Sequence, residues 1–148
     1  MNALEKIRQW LATYPGGIPV QDLKVDYAAP DPDNGSIDPT GLVEISRTED
    51  ILGNITVENQ LNFTLYFVLL KSPDDDTGAT ENADMLLNFQ RWVQEQSIRK
   101  RVPVFGDVPE KETVKAQNGA IYAADEEGTA IYTVQLSINF VKIYEEEF

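Results

Sequence analysis

The sequence predicts an α+β domain in which an antiparallel or mixed sheet of four to five strands carries two helices on one face. Two segments repeat apolar residues at the spacing of a helix, and two long segments alternate apolar with polar residues at the spacing of a strand. Turn-forming residues separate these segments into the order α-β-β-β-α-β-β. Packing both helices on one sheet face is the simplest way to bury their apolar stripes. The length of 148 residues fits a single domain, 1–148.

The first part of the chain predicts a helix, an extended segment and a loop. Apolar residues stand three and four positions apart near the N-terminus, at Leu4, Ile7, Leu11 and Tyr14. This spacing is typical of an amphipathic helix, and the Pro-Gly-Gly sequence at 15–17 ends it. Residues 20–28 predict an extended segment. The segment 30–39 is so rich in Pro, Asp, Asn and Gly that it predicts a surface loop.

The clearest predicted strand lies near the middle of the chain. From Val57 to Leu69 the odd positions are nearly all apolar, while the even positions as far as Thr64 are polar. An alternating segment at 41–51 precedes this strand, and a short turn at 52–54 joins the two. We therefore expect them to pair in antiparallel fashion.

The second half predicts a helix followed by another hairpin. After an acidic turn at 72–78, the helix is expected to begin at Thr80 and to continue to about Ile98. A basic run consisting of Arg99, Lys100 and Arg101 matches the negative end of its dipole. The hairpin is expected to consist of strands at 113–123 and 129–143 joined by a polar turn at 125–128.

The charge composition excludes several classes of function. The chain has 12 Lys and Arg, 25 Asp and Glu, no His and no Cys, which gives a net charge of −13. Without imidazole and thiol groups it has no Ser-His or Cys-His nucleophile, no zinc site of the usual kind and no disulfide. The negative charge also disfavours binding to the outside of duplex DNA, which requires clustered Lys and Arg. We therefore expect no enzyme, no catalytic residue, no cofactor and no metal.

Targeting and membrane segments are not expected either. From Glu5 onward the N-terminus mixes charged with apolar residues, which is unlike a signal peptide. The longest mostly apolar stretch, 65–70, is far shorter than the roughly 20 residues that a membrane helix needs. We expect a soluble protein that is made in a cytoplasm and has no membrane partner.

The acidic motifs have simpler interpretations than a binding site. The segment from Asp31 resembles the start of a calcium loop, but Ser36 and Leu42 stand where that loop needs Gly and Glu. Three adjacent carboxylates at 74–76 rarely converge on one cation. A hydrolase would need two carboxylates across a cleft, and the candidates on or beside strands are Glu44, Glu49 and Glu58. Nothing in the sequence brings two of them together.

Two features of the sequence are candidates for contacts with other chains. The basic run either completes a helix end or contacts an acidic neighbour, and in so acidic a protein another copy of the chain is such a neighbour. Trp10 and Trp92 stand beside the apolar stripes of the two predicted helices. They are either residues at the core edge or aromatic residues of a subunit interface.

Four segments together resemble small minor capsid and tail-terminator (tail completion) proteins of long-tailed phages and Gram-positive prophages. They are NALEKIRQWL, NITVENQLNFTLYFVLL, NADMLLNFQRWVQEQS and AIYTVQLSINFVKIYEE. The resemblance covers nearly the whole chain and rests on the order, length and character of these segments. It implies an α+β fold that assembles into a six-membered ring. Such a ring caps the tail tube, stops its polymerisation and presents a surface to the head connector, which places the protein in the virion at the tail or the head-tail junction.

A ring of this kind needs two different patches on each copy, and the hairpin at 119–144 offers an edge strand for one of them. The candidates to face the lumen are the acidic turns, with Asp74, Asp75 and Asp76 in one and Asp125, Glu126 and Glu127 in the other. Negative charge there lets DNA pass without specific binding. The expected partners are another copy of the chain, a tail tube protein and a head connector protein. A head-closure protein, an acidic DNA mimic or other binding module, and a small hydrolase stay open as alternatives.

Overall fold

The computed structural model describes residues 2–16, 24–25, 34–70, 76–124 and 129–145, and it confirms the predicted α+β fold. Its elements in chain order are α1 (Ala3–Leu11), β1 (Lys24–Val25), β2 (Asn34–Glu49), β3 (Ile55–Leu70), α2 (Asp76–Ile98), a short 3-10 helix (Pro109–Lys111), β4 (Thr113–Ala124) and β5 (Thr129–Tyr144). The strands form one mixed sheet in the order β1-β2-β3-β5-β4. In the described part of the chain, β1 and β2 pair in parallel, and the other three pairings are antiparallel.

The centre of the sheet is β3, the strand with the clearest alternating pattern. It pairs with β2 on one side and with β5 on the other. Ile37, Leu65 and Val134 lie side by side on these three strands, and all are fully buried. Because side chains alternate across a strand, this register places the apolar odd positions of β3 on one face of the sheet.

Both helices pack on that apolar face. The cap of α1 is the Asn2 side chain, whose oxygen accepts a hydrogen bond from the Glu5 N–H at 2.9 Å. Phe89 of α2 is fully buried, with its ring centroid 5.9 Å from that of Phe67 on β3 and 5.3 Å from that of Tyr14 after α1. Contact between the two helices and the sheet therefore closes one apolar core.

The opposite face of the sheet is polar. Its side chains form cross-strand hydrogen bonds between β3 and β5, with Gln60 to Asn139 at 3.1 Å, Thr64 to Gln135 at 3.0 Å and Asn62 to Ser137 at 2.8 Å. These bonds satisfy polar groups that stand close together in a wide sheet. Among the described residues, neither helix is long and apolar enough to cross a membrane.

The predicted surface loop at 30–39 is wrong for its second half. β2 begins at Asn34, and Ser36 and Ile37 are buried, while 30–33 lies outside the described residues. Strand pairing and burial of Ile37 against β3 outweigh the turn preference of the Gly, Asp and Pro residues around it. Pro39 is compatible with the strand because it lies on the edge strand, past the two residues that β1 covers and next to a break in register.

The start of α2 differs from the prediction. The helix begins at Asp76, four residues before the predicted start at Thr80, so 76–78 of the predicted acidic turn belong to the helix, while 72–75 lie outside the described residues. The helix ends at Ile98 as predicted, and the basic run follows it. Lys100 has a φ of 55°, the left-handed conformation that commonly ends a helix. Of the extended segment predicted at 20–28, only β1 is described.

Candidate functional site

The distal part of β2 and the turn after it form an exposed arm. Every residue from 39 to 52 is exposed, and none belongs to the apolar core. We call residues 39–52 the arm. Its exposed apolar residues are Leu42, Val43, Ile45, Ile51 and Leu52. Leu42 and Val43 are consecutive on the strand and point to opposite faces, whereas Ile51 and Leu52 lie together in the turn. Single exposed apolar side chains are common, and the pair at the turn is the candidate for an interaction surface.

The tip of the arm is an ordered turn. Asp50 Oδ1 accepts hydrogen bonds from the N–H groups of Leu52 at 2.9 Å and Asn54 at 3.0 Å, and the Asp50 N–H donates to the Asn54 carbonyl at 3.0 Å. The hydrogen bond from the Asn54 backbone is the main cause that lowers the pKa of Asp50 below its ordinary value. Gly53 has a φ of 87°, which favours glycine at this position. The turn leaves Ile51 fully exposed and Leu52 68% exposed.

The edge of the arm is unsuited to strand addition. The register between β2 and β3 shifts after Pro39 and again after Glu44. Such bulges bend a strand and interrupt the row of free N–H and C=O groups that a new strand would need. The arm therefore offers side chains, more than backbone, to a partner.

A groove lies on the other side of the molecule, between α2 and β4. Its volume is about 530 Å³, within the range of ligand pockets. The groove is lined by Leu87, Gln90, Arg91, Gln94, Ser97, Ile98 and residues 113–117. Leu87 and Ile98 are exposed apolar residues there, and Arg91 and Lys115 supply positive charge. Among the described residues, the lining contains no acidic side chain, which is unusual in a chain of net charge −13.

Helix α2 covers the outer edge of β4 beside this groove. Gln90 Nε2 donates to the Ala116 carbonyl at 3.0 Å, and the Val114 N–H donates to Ser97 Oγ at 3.0 Å. Val114 and Ala116 are two residues apart on the edge strand, so their backbone groups point in the same direction. Both groups point away from β5. Helix side chains therefore occupy this part of the β4 edge, which precedes the hairpin at 119–144, and the predicted use of that hairpin for assembly stays a prediction.

The basic run makes mostly internal contacts. Arg99 Nε is 3.0 Å from Glu95 Oε1, and Lys100 Nζ donates to the Glu112 carbonyl at 2.9 Å. The carbonyl of Arg101 accepts the Trp10 Nε1–H at 3.0 Å, whereas its guanidinium makes no hydrogen bond or ion pair within the described part of the chain. All three side chains are exposed, so the predicted contact with another chain stays a prediction.

The two tryptophans pack against each other. The ring centroids of Trp10 and Trp92 are 5.0 Å apart at an interplanar angle of 25°. Trp10 is buried and belongs to the core, whereas Trp92 is half-buried at the edge of the core. Of the two interpretations from sequence, the core-edge one describes Trp92, and Trp10 has little surface left for a subunit interface.

The acidic candidates fall into two groups, the residues expected to face the lumen of a ring and the strand carboxylates considered for a hydrolase. Asp74, Asp75, Asp125, Glu126 and Glu127 lie outside the described residues, and Asp76 is the first residue of α2, so their lumen-facing role stays a prediction. Glu44 pairs with Asn59, whose neighbour Glu58 points to the opposite face of the sheet. The sheet therefore separates Glu44 from Glu58. In the described ranges, no group of three or more acidic side chains is arranged to hold a metal ion.

Glu112 is a fully buried carboxylate that sequence reasoning missed. Its Oε1 accepts hydrogen bonds from the N–H groups of Phe105 at 2.8 Å and Gly106 at 2.7 Å, while Oε2 has no hydrogen-bond partner in the part of the chain that the structure describes. Burial raises the pKa of Glu112, and the two backbone hydrogen bonds oppose this effect. The chain at 105–107 also lies against β5, where the Asp107 N–H donates to the Val141 carbonyl at 2.7 Å. Glu112 therefore positions the chain segment between α2 and β4.

The raised pKa of Glu112 gives a pH-dependent contribution to stability. Because the folded protein holds this proton more tightly than the unfolded chain, the contribution is greatest below the ordinary pKa of 4.5 and is lost as pH rises through the folded value. We therefore expect the difference in free energy of unfolding, wild type minus Glu112→Gln, to fall as pH rises from below 4.5 through the raised pKa of the folded protein. Urea unfolding at several pH values measures it. A difference that stays constant or rises with pH would contradict the assignment.

Comparison with known proteins adds no family to these observations. No protein-family model matches the chain. No curated protein matches it at a significant level of similarity.

Proposed function

We propose that this chain is a structural virion assembly protein, a tail terminator that forms a ring on the tail tube and joins it to the head connector. The observation that carries the proposal is the pair of unlike surfaces, the apolar arm and the basic groove. A ring needs two different patches on each copy, because a head-to-tail contact joins one patch to another. The resemblance of four long segments to tail-terminator proteins supports the same role.

In this role the protein acts by binding other proteins, and the role requires no chemical step. Copies of the chain assemble with one another, and the ring binds the tail tube protein on one side and the head connector protein on the other. A net charge of −13 disfavours attachment of phosphate groups, so DNA passes through the ring without specific binding. The protein is made in the cytoplasm of the bacterial host and then becomes part of the virion.

Deletion of the gene from its phage or prophage tests this role. We expect tail tubes of abnormal and variable length and filled heads without tails, because the tube lacks its cap and its joint. Electron microscopy of induced particles measures tube length and head attachment, and expression of the protein in trans is the control. Normal infectious virions after deletion would contradict the proposal.

The same experiment separates the terminator from its alternatives. Loss of a head-closure protein leaves tails of normal length beside heads that have lost their DNA. An acidic DNA mimic leaves virion structure unchanged and purifies as a monomer or dimer. The tail length is therefore the decisive measurement.

A further inference from the structure

We propose that the arm of one copy seats in the groove of the next copy, so that the apolar arm tip covers the groove between α2 and β4. This contact rests on the proposed self-assembly and names the surfaces that carry it. The occupant of the groove is a second copy of this chain.

The positions of the two surfaces favour a contact between copies. The arm belongs to β2 and the groove borders β4, and the sheet order places β3 and β5 between these strands. Three strand spacings separate β2 from β4 by about 14 Å. The arm is also paired with β3 along its length, so it does not fold back across the sheet to its own groove. A contact between opposite edges of two copies is head-to-tail, and in the proposed ring it repeats from copy to copy.

Both the arm tip and the groove expose aliphatic side chains. The arm tip holds Ile51 and Leu52 in solvent, and the ordered Asp50 turn fixes them in that position. The groove exposes Leu87 and Ile98 along one side of α2. Seating the tip between them removes apolar surface from water on both copies.

The charges of the two surfaces are opposite. The arm has three acidic residues, Glu44, Glu49 and Asp50, and one basic residue, so its net charge is −2. Within the described ranges, the lining of the groove includes Arg91 and Lys115 and no acidic residue. In a chain of net charge −13, most of the surface repels the arm of another copy. The groove is therefore a surface on which an acidic arm binds without this repulsion.

Backbone pairing does not compete with this arrangement. Two bulges interrupt the arm edge, and Gln90 and Ser97 occupy backbone groups of the β4 edge. Contact through side chains in the groove is then the arrangement that both surfaces allow.

Two double variants and their mixture test the contact. The arm variant is Ile51→Ser with Leu52→Ser, and the groove variant is Arg91→Glu with Lys115→Glu. A control, Arg8→Glu with Lys111→Glu, makes the same change of charge at exposed positions outside the groove. Size-exclusion chromatography with light scattering measures molar mass over a range of concentrations, and thermal unfolding checks that each variant is folded.

We expect the wild type and the control to gain mass with concentration and both double variants to stay monomeric. Loss of two apolar anchors weakens association by about 100-fold or more. An equimolar mixture of arm and groove variants should form one-to-one pairs that grow no further. Each pair has one intact contact, made by the arm of the groove variant and the groove of the arm variant.

Three results would overturn the contact: a wild type that stays monomeric, double variants that associate like the wild type, or a mixture that stays monomeric. If the wild type forms rings and the double variants form them as well, the arm-groove contact is contradicted, but the ring proposal still stands. Normal tails after gene deletion remove the virion role, whereas the molar masses still decide whether the arm binds the groove.

Discussion

Replacement of Phe89 by alanine is expected to lower the free energy of unfolding by about 3–5 kcal/mol. The Phe89 side chain is fully buried between the helices and the sheet, and its ring contacts those of Tyr14, Phe67 and Trp92. Truncation removes these contacts and leaves a cavity that the surrounding rings fill only in part. Urea unfolding followed by tryptophan fluorescence measures the loss, since Trp92 lies beside the substituted position.

Leu87→Ala is the matched control for this substitution. Leu87 lies two residues earlier on α2, but it is 46% exposed at the groove. We expect it to cost less than about 1 kcal/mol, because a half-exposed side chain loses less burial when truncated. Equal losses for Leu87→Ala and Phe89→Ala would show that the core is not where the structure places it.

Replacement of Glu112 by alanine is the second large effect that we expect, a loss of about 2–4 kcal/mol. The substitution leaves the N–H groups of Phe105 and Gly106 without their acceptor inside the protein. There is little room for the segment to adjust, because Gly106 lies so close to the Val141 carbonyl oxygen that a Cβ atom would collide with it. Urea unfolding at neutral pH measures this loss.

Glu112→Gln distinguishes the hydrogen bonds from the packing of the side chain. Glutamine keeps an oxygen that accepts both N–H groups and has nearly the same shape, so we expect a much smaller loss than with alanine. It also removes the buried negative charge, whose cost is the physical reason for the raised pKa. Losses of the same size for glutamine and alanine would show that the two hydrogen bonds do not stabilise the fold.

The regular elements were largely predictable because their signals are local. The alternation along β3 and β5 and the helical spacing in α1 and α2 identified four elements, and the structure confirms all of them. A two-residue or 3.6-residue period follows from backbone geometry alone. Register was not predictable in the same way, because the partner of each strand is distant in sequence.

The start of β2 shows where local signals were misleading. Its sequence at 34–39 has Asn, Gly, Asp and Pro, which favour turns in isolation. Ile37 faces Leu65 across the strand pair, and burial of both residues accompanies the backbone hydrogen bonds. The stabilisation therefore comes from β3, a strand that the local sequence does not contain.

The features of the candidate site also divide into those that the sequence determines and those that depend on the tertiary structure. The sequence by itself determined the element types, the excess of acidic residues, the absence of His and Cys, and the basic run after α2. Only the tertiary structure decided that Trp10 is core, that Glu112 is buried, and that no described segment covers the arm or the groove. The alternating pattern at 41–51 fits a covered strand as well as an exposed one. Which apolar residues remain exposed depends on the packing of distant segments, and no local pattern contains that information.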